Sequence, residues 1–155
     1  MSRGSELSQP AFDRHLSIIK YLYGRQVLIN LVGNKEGEHM IGSMFKLHHK
    51  CSRFKEEIPY IAFDYHYYCP RGKEDNLMLL KKQIYSYFNE FSFYLADEQG
   101  TKSYQSGTFR VNCIDCLDRT NRVQTFIGLE VTHQVAVNSY PLTFILFDFW
   151  FVIRC

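Results

Sequence analysis

The fold and the chemistry of this chain are set by one run of residues, Arg110-Val-Asn-Cys-Ile-Asp-Cys-Leu-Asp-Arg-Thr-Asn121. Within this run five residues separate Cys113 from Arg119, and Thr120 follows directly. A loop of this length can wrap its N–H groups around one tetrahedral phosphate and lead into a helix, whose N-terminus favours anions. The same field lowers the pKa of a cysteine thiol and thereby favours the nucleophilic thiolate. An arginine can bind two phosphate oxygens at once. The run therefore predicts a phosphate-binding loop between a strand and a helix.

A second pair of residues, Cys116 and Arg122, has the same spacing. Arg119 is followed by Thr120, whose hydroxyl can hold the nucleophile, help to turn over an intermediate or cap the helix. Arg122 is followed by Val123, which has no hydroxyl. We therefore predict that Cys113 is the nucleophile and that Arg119 binds the phosphate.

Hydrophobic periodicity around the run predicts an α/β domain in which strands alternate with helices. Helices are expected where apolar residues recur at helical spacing, and strands where short apolar runs lie between turns. The expected helices cover 12–23, 40–47, 77–91 and 120–132, and the expected strands cover 27–32, 58–65, 91–95 and 108–112. Residues 97–107 are expected to form a polar turn region.

The composition limits the class of protein. A length of 155 residues with 46% apolar residues allows one globular domain and excludes a disordered chain. A net charge of +2 argues against a strongly basic nucleic-acid binder. The N-terminus lacks an apolar signal core, so we expect a cytoplasmic location with the five cysteines reduced.

The run from Arg110 to Asn121 resembles the signature of the Sac-domain phosphoinositide phosphatases, Arg-x-Asn-Cys-x-Asp-Cys-Leu-Asp-Arg-Thr-Asn, and meets every fixed position. Other stretches resemble the synaptojanin branch of that family, namely residues 1–4, 10–15, 30–33, 63–66 and 124–130. The resemblance assigns residues 1–131 to part of a Sac phosphatase domain and leaves 132–155 as a divergent hydrophobic tail. It implies the C-terminal part of the catalytic lobe, with a central mixed sheet flanked by helices and without the N-terminal lobe of the family.

The resemblance implies hydrolysis of an inositol-ring monophosphate through attack by Cys113 and a phosphocysteine intermediate. The implied phosphate-binding residues are those of the loop: Ile114, Asp115, Cys116, Leu117, Asp118, Arg119 and Thr120. No metal or other cofactor is implied, because arginine and loop amides supply the positive field. A general acid must protonate the leaving oxygen, and Asp115 is favoured over Asp118 for this role.

The resemblance also implies partners and a location. Phosphoinositide lipids on cytoplasmic membrane faces are the implied partners, with peripheral membrane contact, a link to membrane traffic and no nucleic acid. The first alternative is a catalytically inactive fragment that binds lipid or protein. The second is a zinc half-site or redox dithiol formed by Cys113 and Cys116. A clean second pair of zinc ligands is absent from the sequence, because the other candidates are scattered: His48, His49, Cys51, His66 and Cys69.

The tail contains an apolar run from Leu142 to Ile153, interrupted by Asp148. This run is shorter than the ~17–25 residues of a membrane-spanning helix, and a charge at its centre is costly in lipid. Three interpretations stay open: a buried strand or helix, an aggregation-prone end, and a segment that contacts a membrane or a partner.

Overall fold

The computed structural model of the chain describes residues 5–35, 37–71, 73–115 and 117–137. Helices and strands alternate in the first part of these residues, and three consecutive strands precede the last helix. In chain order they are α1 (Ser5–Tyr23), β1 (Arg25–Asn30), α2 (Glu38–Cys51), β2 (Tyr60–Ala62), α3 (Tyr65–Tyr68), a 3-10 turn (Glu74–Asn76), α4 (Leu77–Phe91), β3 (Leu95–Asp97), β4 (Gly100–Ser103), β5 (Gly107–Asn112) and α5 (Asp118–Val137).

The central sheet has β1 in the middle, with β2 on one side and β5 on the other. Both neighbours run parallel to β1, which pairs Leu28 with Tyr60 and Asn30 with Asn112. The strands β3 and β4 form a separate antiparallel pair. The predicted α/β class is confirmed, and the central sheet is parallel over the described residues rather than mixed.

Helices cover both faces of the central sheet. Alternate residues of β1 point to opposite faces, so Val27 and Ile29 join one buried cluster and Leu28 joins another. The first cluster includes residues of α4 and α5, such as Ile84 and Ile127. The second cluster contains Leu16 and Ile19 of α1, and Phe45 of α2 packs against it. Consequently α2 and α5 lie on opposite faces of the sheet.

Two glycines fix the borders of the sheet. Gly24 ends α1 with φ of 74°, a left-handed conformation that favours glycine, and its N–H donates to Lys20 O at 3.0 Å. Gly107 begins β5 where the chain passes close to β1, because a Cβ at this position would lie 2.7 Å from Arg25 O. These two positions allow β1 and β5 to start side by side.

Several element borders differ from the sequence prediction. The expected strand at 91–95 is wrong at its start, because Phe91 ends α4 and packs against Phe109, so the strand begins at Leu95. The polar region 97–107 contains β4, and the expected strand at 58–65 is limited to β2 because Tyr65 begins α3. Helix α5 extends the expected helix to Val137 and so continues past residue 131, where the resemblance to Sac domains ends. The apolar run from Leu142 to Ile153 lies outside the described residues.

Candidate active site

The candidate site lies at the carboxyl edge of the parallel sheet. Asn30 and Asn112 end β1 and β5 in register, so the residues that follow both strands emerge together. The chain continues from β1 to α2 on one face, and from β5 to α5 on the other. In open α/β sheets a crevice of this kind, between strands followed by helices on opposite faces, is where ligands bind.

The predicted loop connects β5 to α5 in this crevice. Three of its residues are buried, with exposed fractions of the whole residue of 7% for Cys113, 9% for Arg119 and 0% for Thr120. Ile114 and Leu117 are exposed at 42% and 62%. Asp115 and Asp118 are also exposed, and Cys116 lies outside the described residues. The loop thus buries a thiol, a guanidinium and a hydroxyl beneath an exposed surface.

The thiol of Cys113 has contacts from both ends of the loop. Thr120 donates a hydrogen bond from Oγ1 to Sγ at 3.1 Å, and Sγ donates to Oδ1 of Asp115 at 3.3 Å. Oδ1 of Asp115 also accepts from the Leu117 N–H at 3.3 Å. The pKa of Asp115 lies below its ordinary value, because the hydrogen bonds from the Cys113 thiol and the Leu117 N–H favour the carboxylate. An ionised carboxylate therefore contacts the predicted nucleophile.

The guanidinium of Arg119 forms an ion pair with Glu38, the first residue of α2. Nη1 donates to Oε1 at 3.0 Å and to Oε2 at 3.1 Å, and Oε2 also accepts from the Gly33 N–H at 2.9 Å. Burial acts to raise the pKa of Glu38, but the Gly33 hydrogen bond, the contacts with Arg119 and the charge of His66 together lower it. Glu38 was absent from the residues predicted from sequence. Its available signal was an acidic side chain at a helix start, beside the family-like stretch 30–33.

A buried polar network supports the base of the loop. Asn112 donates from Nδ2 to Oδ1 of Asn30 at 2.6 Å, and Asn30 donates from Nδ2 to the Tyr60 hydroxyl at 3.0 Å. Arg110 donates to Oδ1 of Asn112 at 3.1 Å and to Nε2 of His15 at 3.0 Å. Arg110, the first residue of the signature, therefore connects β5 to α1, and Asn112, the third residue, connects β5 to β1.

The remaining candidates are placed as follows. Asp118 is exposed in the first turn of α5, where a carboxylate complements the helix dipole. Arg122, the arginine of the rival pair, forms an ion pair with Glu74, and both side chains are about half exposed. Across the described ranges, no three His, Cys, Asp or Glu side chains form a group that could hold a metal ion. No described helix has the length and apolar character needed to cross a bilayer.

Comparison with known proteins identifies the family. Residues 1–70 match the model of the SacI homology domain. Synaptojanin-1 of Rattus norvegicus is 47% identical over 131 residues, which are 84% of this chain and 8% of that protein. By sequence, this chain belongs to the SacI homology family. The resemblance to Sac domains and to synaptojanins is thereby confirmed.

Two other relatives have different names. Phosphatidylinositol-3-phosphatase SAC1-B of Danio rerio is 39% identical over 118 residues, or 76% of this chain and 20% of that protein. Inositol-1,4,5-trisphosphate 5-phosphatase 1 of Schizosaccharomyces pombe is 33% identical over 151 residues, or 97% of this chain and 14% of that protein. This SacI homology chain therefore spans a small part of the curated relatives that it matches.

Proposed function

We propose that this chain carries the nucleophile and the phosphate-binding loop of a phosphoinositide phosphatase. The observation that carries the proposal is the contact of the Cys113 thiol with both the Thr120 hydroxyl and the Asp115 carboxylate. Phosphoryl transfer to sulfur needs a nucleophile, a donor that stabilises its charge and a group that transfers a proton. All three groups meet in one loop at the start of α5.

In the proposed reaction, Sγ of Cys113 attacks the phosphorus of an inositol-ring monophosphate. The S–P bond forms while the bond from phosphorus to the ring oxygen breaks, which gives a phosphocysteine. Loop N–H groups, the N-terminus of α5 and Arg119 stabilise the phosphoryl oxygens as charge develops on them. Water then attacks the phosphocysteine, releasing inorganic phosphate and restoring the thiolate.

Asp115 provides a route for the proton. When Cys113 becomes a thiolate, its proton passes to the carboxylate that it already contacts, at 3.3 Å. The protonated Asp115 then donates this proton to the departing ring oxygen. In the second step the carboxylate accepts a proton from the attacking water. The lowered pKa of Asp115 depends mainly on the hydrogen bond from the thiol, so the pKa rises once the proton has left sulfur, and the carboxyl group can then hold the proton for the leaving oxygen.

The choice of a lipid substrate is supported by the family and by the rim of the loop. One relative is named a phosphatidylinositol phosphatase. Ile114 and Leu117 flank Asp115 and expose apolar side chains beside the buried thiol. Apolar side chains around a phosphate site suit a headgroup presented at a cytoplasmic membrane face, where they can contact the acyl boundary. Peripheral membrane contact is therefore part of the proposal.

A second candidate is an inactive fragment that binds lipid or protein without turnover. It is motivated by the 8% of rat synaptojanin-1 that the chain covers. Such a fragment would bind phosphoinositide equally well with and without the Cys113 thiol, because binding needs the loop amides and Arg119 rather than a nucleophile.

The test is phosphate release from short-chain phosphatidylinositol 3-phosphate and 4-phosphate without added metal. We expect release by the wild type, loss of release in Cys113→Ser, and unchanged release in Cys51→Ser, which removes an exposed thiol at the end of α2. Release that persists in Cys113→Ser contradicts the assigned nucleophile. Lipid binding without release in all three proteins establishes the inactive fragment instead.

A further inference from the structure

We propose that Glu38 is a positioning residue for Arg119, holding the guanidinium so that its other edge faces a bound phosphate. This inference rests on the proposed function, because it concerns the same phosphate loop. Glu38 lies 81 positions away from Arg119 and outside the signature run. It would act through Arg119 and not by contact with the substrate.

The hydrogen bonds show which edge of the guanidinium is used. Both contacts with Glu38 come from Nη1, at 3.0 and 3.1 Å. Among the described residues, Nε and Nη2 of Arg119 have no acceptor. Nε and Nη2 each carry an N–H in the guanidinium plane, and such a pair forms the fork that binds two phosphate oxygens. A carboxylate on Nη1 and a phosphate on the opposite edge can therefore bind Arg119 together.

The position of Glu38 lets it connect both sides of the crevice. Glu38 begins α2 on one face of the sheet, and Arg119 lies in the first turn of α5 on the other face. Their ion pair therefore spans the crevice where a ligand is expected. The ion pair differs from a surface ion pair because the side chains of Glu38 and Arg119 are only 16% and 11% exposed.

The carboxylate of Glu38 is itself fixed by the loop after β1. Its Oε2 accepts from the Gly33 N–H at 2.9 Å, and the next N–H, that of Asn34, donates to Oδ2 of Asp64 at 3.0 Å. A Cβ at Gly33 would lie 2.7 Å from Oδ1 of Asp64, so glycine allows this close approach. Glu38 and Asp64 therefore both hold the loop after β1, and this loop in turn fixes the carboxylate that contacts Arg119.

Positioning and competition predict opposite changes in phosphate affinity when Glu38 is removed. If Glu38 competes with phosphate for Arg119, its removal frees the guanidinium and tightens phosphate binding. If Glu38 positions Arg119, its removal leaves a largely buried cation without its partner, and the guanidinium leaves the geometry that phosphate needs. The use of Nη1 alone favours positioning, because the fork stays available while the ion pair persists.

The chain offers a matched control in Glu130, which pairs with Lys81 at 2.5 Å and whose side chain is 15% exposed. Glu130 lies 11 residues beyond Arg119 on α5, about 16 Å along the helix axis. Glu130→Gln therefore breaks an ion pair of similar burial at a distance from the loop. It separates loss of local stability from loss of phosphate binding.

The experiment measures binding of inorganic phosphate by titration calorimetry, together with phosphate release from short-chain phosphatidylinositol 3-phosphate. The proteins are the wild type, Glu38→Ala, Glu38→Gln and Glu130→Gln. We expect the Glu38 variants to bind phosphate about tenfold more weakly or worse, as loss of a charge-assisted contact predicts, and Glu130→Gln to bind like the wild type. Glu38→Gln is nearly isosteric and decides the result if the alanine variant unfolds.

Unchanged or tighter phosphate binding in Glu38→Gln overturns the positioning role, even if the wild type hydrolyses lipid. Weaker binding in Glu38→Gln, combined with no lipid hydrolysis by the wild type, supports the positioning role and overturns the proposed function. Equal weakening in Glu130→Gln overturns the positioning role, because it shows a general effect of stability. Absence of phosphate binding in the wild type overturns both proposals.

Discussion

Thr120 donates its hydroxyl hydrogen to the sulfur of Cys113 at 3.1 Å, and its side chain is fully buried at the start of α5. This contact joins the end of the loop to its beginning. A hydrogen bond donated to sulfur favours the thiolate, whereas the negative charge of Asp115 on the same sulfur favours the thiol. These two neighbours therefore act in opposite directions on the charge of Cys113.

Removal of the Thr120 hydroxyl should raise the pKa of the Cys113 thiol. Thr120→Val keeps the volume but removes a donor to a charged sulfur, so the thiolate should form at higher pH. Thr120→Ser keeps the donor and should behave like the wild type. The measurement is the rate of alkylation by iodoacetamide as a function of pH. Superimposable profiles for Thr120→Val and Thr120→Ser would show that the hydroxyl does not stabilise the thiolate.

Asp115→Asn should change alkylation and turnover in opposite directions. Loss of the negative charge lowers the pKa of the Cys113 thiol, so alkylation at pH 7 becomes faster. Loss of the proton carrier slows phosphate release from lipid by about 10²–10⁴-fold, the usual contribution of general acid catalysis. Asp75→Asn, in the exposed 3-10 turn, is the control and should change neither rate. If Asp115→Asn slows both reactions together, the carboxylate serves mainly to shape the loop.

Local patterns predicted much of the fold. The helices α1 and α4 follow from apolar residues at helical spacing, and the order of β5, loop and α5 follows from the run that begins at Arg110. The strand β4 was missed, because Gly100–Ser103 contains no apolar side chain and three of its four residues are exposed. No buried face gives β4 the alternation by which strands are recognised.

The candidate site was predicted only where it is continuous in sequence. Cys113, Asp115, Arg119 and Thr120 lie within eight consecutive positions. The spacing suggested Cys113, Arg119 and Thr120, and the family resemblance added Asp115. Glu38 reaches Arg119 from 81 positions away, and this contact depends on α2 and α5 meeting at one edge of the sheet. Sequence periodicity assigns elements and faces, but it does not specify which loop ends meet across the sheet.

Truncation of Asn112 should destabilise the fold rather than act through the thiol. Asn112→Ala removes one acceptor from Arg110 and one donor from Asn30, both of which are buried. Loss of hydrogen bonds to buried polar groups costs about 1–3 kcal/mol in the free energy of unfolding. Urea denaturation measures this loss, with exposed Asn89→Ala as the control, expected to change stability by less than about 0.5 kcal/mol. Equal stability of the two variants would mean that water replaces the missing amide.

The ion pair of Glu38 with Arg119 should make stability depend on pH in the acid range. The pKa of Glu38 is lowered in the folded chain, whereas that of an unfolded glutamate is about 4.3. The charged form therefore stabilises the fold above the unfolded pKa, and this contribution disappears as the pH falls through the folded pKa. Urea unfolding of the wild type and Glu38→Gln should show a constant difference in free energy above about pH 5 that shrinks towards pH 3. A difference that stays constant to pH 3, or that grows there, would show that Glu38 does not contribute through its charge.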